Sequence, residues 1–224
     1  MAVILKKGAK IDLGLQNMTV GLGWKPNEGT GFEFDLDASA FMLDKNNKIP
    51  APNYVVCYGN FDSPDGALHH TGDDTTGGNS EEGDDEIIEV DLSKVSEKVE
   101  QILFIVTINE YKQRKQNFGQ VKDSYIRIVN NVTANEEEVA KYELGEDFST
   151  ETAIEFGRLY KREGKWRFEA SGIGFIESID YFFEKYVKGI DDYMKTDGTI
   201  VTKDGNSFHE SHPDYNNVKS KIFG

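Results

Sequence analysis

The chain has 224 residues and a formal net charge of −15, from 40 Asp and Glu against 25 Lys and Arg. That length lets one β-sandwich, or one domain with a tail, bury a core without covalent staples, and 14 Phe with 10 Tyr are not the composition of a disordered chain. The charge argues against nucleic acid as a partner, because phosphate backbones are met by clustered Lys and Arg. Cations are the natural ligands of such a surface, although many acidic proteins are simply well solvated.

Cys57 is the only cysteine, which excludes an intramolecular disulfide and any Cys-rich zinc or iron–sulfur site and favours a reducing compartment. At the N-terminus, Met1-Ala2-Val3-Ile4-Leu5-Lys6-Lys7 carries an apolar run too short for a signal-peptide core, with its basic residues after that run instead of before it. No later stretch approaches the roughly 20 apolar residues that span a bilayer, so direct membrane insertion is not expected.

Period-two alternation and short apolar blocks between Gly, Asn and Asp clusters predict strands near 2–6, 18–24, 32–43, 53–59, 85–91, 101–108, 121–130, 138–144, 153–160 and 165–171. In Ile102-Leu103-Phe104-Ile105-Val106-Thr107-Ile108 nearly every position is apolar, as a central strand covered on both faces requires. Crossover helices of an α/β nucleotide-binding layout are missing, so the expected class is all-β, a β-sandwich with few short helices. One amphipathic helix is expected at 175–187, where Phe175, Ile179, Phe182, Phe183 and Tyr186 recur at three- and four-residue spacing. Its polar face is acidic, which suits docking on a sheet better than lying on anionic lipid. From 188 the chain turns polar, with Asp197-Gly198 and Asp204-Gly205 as turn signals. The reading is a main domain at 1–187 and an extension at 188–224, holding one weak hairpin at 199–208 or remaining mobile.

The chemistry concentrates where basic residues stop. No Lys or Arg occurs between Lys48 and Lys94, while that stretch holds Asp62, Asp65, Asp73, Asp74, Glu81, Glu82, Asp84, Asp85, Glu86, Glu89 and Asp91. Within it, residues 71–86 alternate Gly with oxygen-bearing side chains, a composition able to wrap a hard cation and richer in carboxylates than magnesium uses; calcium takes six to eight oxygens in loose geometry. A solvated loop is equally compatible with that stretch alone. A second element favours the cation. In Phe34-Asp35-Leu36-Asp37-Ala38-Ser39, strand alternation sends Phe34, Leu36 and Ala38 to one face and Asp35, Asp37 and Ser39 to the other. Same-face aspartates on one strand repel unless something compensates them. Neither stretch has EF-hand spacing, since position six from Asp35 is Ala40 and positions three and five from Asp73 are Thr75 and Gly77.

Val20-Gly21-Leu22-Gly23-Trp24, Phe34-Asp35-Leu36-Asp37-Ala38-Ser39, His70-Thr71-Gly72-Asp73, Gly83-Asp84-Asp85-Glu86, Val106-Thr107-Ile108, Phe118-Gly119-Gln120-Val121 and Phe148-Ser149-Thr150-Glu151-Thr152-Ala153 occur in that order. The ordered set resembles the TerD-type tellurium-resistance and general stress proteins over about residues 1–187. The resemblance implies a calcium-binding β-sandwich, cytoplasmic or loosely held at the inner membrane surface through partners among other stress-resistance proteins. Carried over position by position, it implies Asp35, Asp37, Asp73, Asp84, Asp85 and Glu86 as Ca2+ ligands, with Asp74 standing where the family pattern has Asn and still able to supply an oxygen. Asn109 and Glu110 are weaker candidates, and the extension at 188–224 inherits nothing.

Enzymatic readings have less support. Gly21-Leu22-Gly23 and Gly172-Ile173-Gly174 lack the third glycine of a dinucleotide fingerprint, and neither a phosphate loop nor a Gly-x-Ser-x-Gly elbow occurs. His69 and His70 would point opposite ways on a strand, and His209 and His212 sit in the polar tail. Asp35 with Asp84 or Asp85 could form an acid–base pair of hydrolase type, given an aromatic cleft. The expectation is a calcium-stabilised interaction module rather than an enzyme, the alternatives being calcium-dependent binding of a small molecule or oxyanion and, behind that, a carboxylate hydrolase.

Overall fold

The computed structural model describes residues 7–12, 16–78, 83–130, 137–187, 193–195, 198–202 and 206–223. In chain order the elements are β1 (Lys10–Asp12), β2 (Asn17–Gly23), β3 (Leu36–Leu43), β4 (Val55–Val56), β5 (Leu68–His70), β6 (Glu86–Asp91), β7 (Gln101–Ile108) and α1 (Tyr111–Arg114). They continue with β8 (Tyr125–Asn130), β9 (Glu137–Glu143), α2 (Leu144–Asp147), β10 (Ala153–Arg162), β11 (Lys165–Glu169), β12 (Ile173–Phe175), α3 (Ile179–Tyr186), β13 (Tyr193–Met194), β14 (Ile200–Val201), β15 (Ser207–Phe208) and α4 (Tyr215–Phe223).

Two antiparallel sheets face one another. One runs β1-β11-β10-β7-β3-β4 with β12 also on β10; the other runs β5-β6-β2-β8-β9. The expected all-β sandwich is what the chain forms, and the apolar block at 101–108 is its central strand, β7, paired with β3 on one side and β10 on the other. Strand alternation divides its side chains. Ile102, Phe104, Val106 and Ile108 enter the core between the sheets with Val20, Leu22, Ile88, Ile126 and Ile128. Leu103 and Ile105 face outward into a second core, with Phe41, Leu43 and Ala153, beneath α3.

Helix α3 is built by spacing. Ile179, Phe182, Phe183 and Tyr186 are its buried residues, with the Phe183 and Phe41 ring centroids 5.3 Å apart. Each such side chain contributes roughly 1.5–3 kcal/mol on burial, which is what holds two turns of helix that would not persist alone. The helix begins later than its apolar periodicity suggests because Ile173–Phe175 is taken by β10 as a strand.

Other boundaries move for local reasons. Pro52 starts a 3-10 turn at Pro52–Tyr54, so the strand expected at 53–59 shrinks to β4. A turn at 121–123, with Asp123 at φ +50°, delays β8 to Tyr125 and shortens the strand expected at 121–130. The strand expected at 2–6 lies outside the described residues. Beyond α3, β13, β14 and β15 form a three-stranded meander that includes a hairpin at 200–208, closed by α4 around buried Met194, Ile200 and Tyr215.

Candidate metal centre

At one end of the sandwich, β3 and β6 approach from opposite sheets. β4 pairs with β3 only at Ala40 and Phe41, and beyond it the Ala38 N–H donates to Glu86 Oε2 at 2.7 Å. The other oxygen, Glu86 Oε1, accepts from the Asp74 N–H at 3.2 Å. One buried carboxylate thus ties the first residue of β6 to β3 and to the loop after β5. Asp37 leaves β3 on the face the alternation predicts, away from the inter-sheet core. One oxygen from each of Asp37, Asp73 and Glu86 lies within 4.8 Å of the others, Asp37 and Glu86 buried and Asp73 exposed.

The electrostatics of that triad are unfavourable on their own. Two full charges 4.8 Å apart repel by about 3.5 kcal/mol at an effective dielectric near 20. Among the described residues, no Lys or Arg forms an ion pair with any of the three. Burial, and then the charges of Glu86, Asp35 and Asp73, push the Asp37 carboxyl well above the usual carboxylate range. Burial does the same to Glu86 against the lowering influence of its two N–H donors, and Asp73 is raised by burial and by Asp35.

Two further oxygens stand beside Asp37. Thr107 is its cross-strand neighbour on β7 and Ser39 lies two residues along β3 on the same face. Both hydroxyls are buried without a hydrogen-bond partner, which is unusual for polar atoms in a core. Oxygen-only donors, an uncompensated carboxylate cluster and orphaned hydroxyls fit a hard divalent cation of the calcium type.

His70 closes the inner side. It is fully buried, its ring stacked on Phe61 at 5.6 Å. Nδ1 accepts the Gly72 N–H at 3.2 Å, so the neutral ring carries its proton on Nε2, which faces Glu86 Oε2 at 3.5 Å. Burial lowers its pKa to about 4. The opposed orientation expected for the two histidines is present, with His69 exposed against Asp62 at 2.8 Å.

The remaining acidic candidates go elsewhere. Asp35 borders the triad, but its Oδ2 accepts from Asn109 Nδ2 at 3.0 Å and pairs with Arg114 at 3.3 Å; burial raises its pKa and these partners oppose the rise. Asp74 Oδ1 accepts from the N–H groups of Thr76 and Gly77 at 2.8 and 3.1 Å, closing a local turn. Asp84 lies over Gly21, where a Cβ would overlap its carboxylate, and accepts from Arg127 Nε at 2.8 Å and Tyr125 Oη at 3.0 Å. Asp85 Oδ2 accepts the Trp24 N–H at 2.9 Å. Glu81 and Glu82 lie outside the described residues. Thr107 and His70 belong to the site although sequence reasoning did not assign them to it. Their signal was position alone, in the blocks Val106-Thr107-Ile108 and His70-Thr71-Gly72-Asp73.

This is an antiparallel sandwich with a buried carboxylate cluster strung between its sheets at one end. The TerD domain model matches residues 1–186. The chain is 44% identical over 180 residues to the tellurium resistance protein TerD of Serratia marcescens, covering 78% of this chain and 92% of that protein. It is 44% identical over 181 residues to general stress protein 16U of Bacillus subtilis, with the same coverage. The chain belongs to the TerD family of tellurium-resistance and stress-response proteins. Its fold also matches the crystal structure of a homologue of telluride resistance protein TerD from Streptomyces coelicolor, with a TM-score of 0.64 at 21% identity over 75% of this chain and 95% of that one. No helix among the described residues is long and apolar enough to cross a membrane.

Proposed function

We propose that this protein is a calcium-binding stress module whose metal fixes one end of the sandwich and presents that end to partner proteins, without turnover of a substrate. The observation that carries the reading is the convergence of Asp37, Asp73 and Glu86 within 4.8 Å with no Lys or Arg paired to them among the described residues, and only the buried, neutral His70 beside Glu86. Asp37, Asp73 and Glu86 would hold the ion, with Thr107 and Ser39 completing its oxygen shell. The ion would supply the positive charge that the cluster lacks. The single, buried Cys57 suits a reducing compartment, and the cytoplasm is the proposed location.

The test is calcium titration of chelator-stripped protein by calorimetry, with melting followed in parallel. Saturable binding that raises the melting temperature, and its loss in Asp37→Asn and Glu86→Gln, is the expected result. A folded, stripped wild-type protein that neither binds calcium nor gains stability from it ends the proposal.

A second reading rests on exposure. Asp73 is open to solvent while its two neighbours are buried, so an ion held here would keep one side accessible to an anionic ligand such as an oxyanion. A small-molecule signal seen with calcium and absent without it would move the protein from the first reading to the second.

A further inference from the structure

The segment from Pro52 to Phe61 has a different neighbour on each side. Toward the cation cluster, Phe61 stacks on His70. The His70 N–H also donates to the Phe61 carbonyl at 2.8 Å, and Val55 and Val56 of the segment pair with Phe41 and Ala40 of β3. A bridge between Cys57 and Asn60 folds the segment back on itself, with Cys57 N donating to Asn60 O at 3.0 Å.

On the far side lies the C-terminal module. Helix α4 rests against the Pro52–Tyr54 turn. The terminal methyl of Met194 fills the space that a Cβ on Gly59 would occupy, and the Tyr58 ring packs on the small core of Met194, Ile200 and Tyr215. Tyr58 Oη donates to the Lys195 carbonyl at 3.4 Å. Met194, Ile200 and Tyr215 all lie beyond residue 186, where the family match ends.

Three strands of two residues and one short helix cannot sustain an independent core. The module must therefore draw its order from the surface it covers. A contact that orders one side orders the other by the same free energy.

We propose that Pro52–Phe61 is an internal docking surface whose partner is the chain's own C-terminal module, residues 193–195, 198–202 and 206–223, and that this docking holds the wall of the cation cluster in place. The ion and the module then stabilise one another through the wall they share. The docking half stands on the contacts above; the coupling half rests on the calcium reading.

The experiment compares full-length wild type with Ile200→Asp, which places a charge in the module's core, and with the milder Tyr215→Ala in case the first misfolds. Hydrogen exchange in chelator should become about tenfold faster across 55–62 and 68–74 in the variants, with β2 and β8 unchanged, since local opening follows the loss of buried contacts. Calcium should bind the variants several-fold more weakly, and in wild type it should slow protease cleavage between 195 and 210. If 193–208 exchanges faster while 55–62 and 68–74 do not, the wall does not depend on the module and the proposal is overturned. Equal calcium affinity in wild type and variants overturns the coupling. A wild type that binds no calcium defeats the calcium reading and the coupling with it, and the exchange data then decide the docking surface by themselves.

Discussion

The backbone N–H of Ala38 donates to Glu86 Oε2 across the gap between the two sheets, at 2.7 Å. Forty-eight residues separate the two positions, and among the described residues no other strand pairs with that part of the β3 edge, since the pairing with β4 stops at Ala40. The carboxylate therefore acts as a stitch as well as a candidate ligand. At free calcium 100 times its Kd the wild-type fold should gain about 2.7 kcal/mol by mass action, and Glu86→Gln should lose most of that gain. Thermal melts at matched calcium and chelator concentrations measure it; an undiminished calcium response in the variant would exclude Glu86 from the shell.

Protons should compete with the ion. Asp37 and Glu86 are raised above their ordinary range in the metal-free fold, so that fold keeps protons which the unfolded chain has released. Its stability must fall as pH rises from about 4, where free carboxylates ionise, through the raised values. Calcium displaces those protons, so its affinity should weaken as pH is lowered from 8 toward 5. Calorimetry in buffers of different ionisation enthalpy counts the protons released, and zero release at every pH between 5 and 8 would contradict the raised pKa values.

Asp84 should matter to the fold and not to the ion. It is paired with Arg127 and Tyr125 over Gly21, on the outer face of its sheet. Asp84→Asn should cost roughly 1–3 kcal/mol in denaturant unfolding, as loss of a charge-assisted bond in a half-buried site does. Calcium affinity should stay within about twofold, because changes at separate sites are close to additive. Abolished calcium binding with the fold intact would make Asp84 a ligand instead.

Removing the ring at Phe182, which is fully buried between α3 and Phe41, should cost about 3–5 kcal/mol when it is replaced by Ala. Urea unfolding reads this directly. A loss below about 1 kcal/mol would mean that α3 is dispensable to the outer core.

The strong periodic signals were legible before any coordinates. The two-faced apolar block of β7 and the alternation that sets Asp37 apart from Leu36 and Ala38 follow from strand geometry alone. Choosing among the acids was another matter. Asp84 and Glu86 are two residues apart and alike in composition, yet Glu86 opens β6 and turns inward, while Asp84 precedes the strand, where alternation no longer rules. Asp73 meets Asp37 only through tertiary packing, and the same is true of His70 against Glu86. The two-residue strands β13, β14 and β15 are too short to carry a period, and Asn216, Asn217 and Ser220 give α4 little intrinsic helix preference. Its docking on the Pro52–Tyr54 turn is not written in either segment by itself.

Glu86 reaches back to Ala38, and Thr107 stands opposite Asp37, so the pocket is assembled from pieces contributed over a span of about 70 residues. During synthesis no early fragment can present it: a ribosome must release β7 before the last oxygen is in place. Capture of the ion would then act as a seal applied late, after the sheets have met, and a chain stalled before β7 would carry the acidic loop as an open, repelling tether.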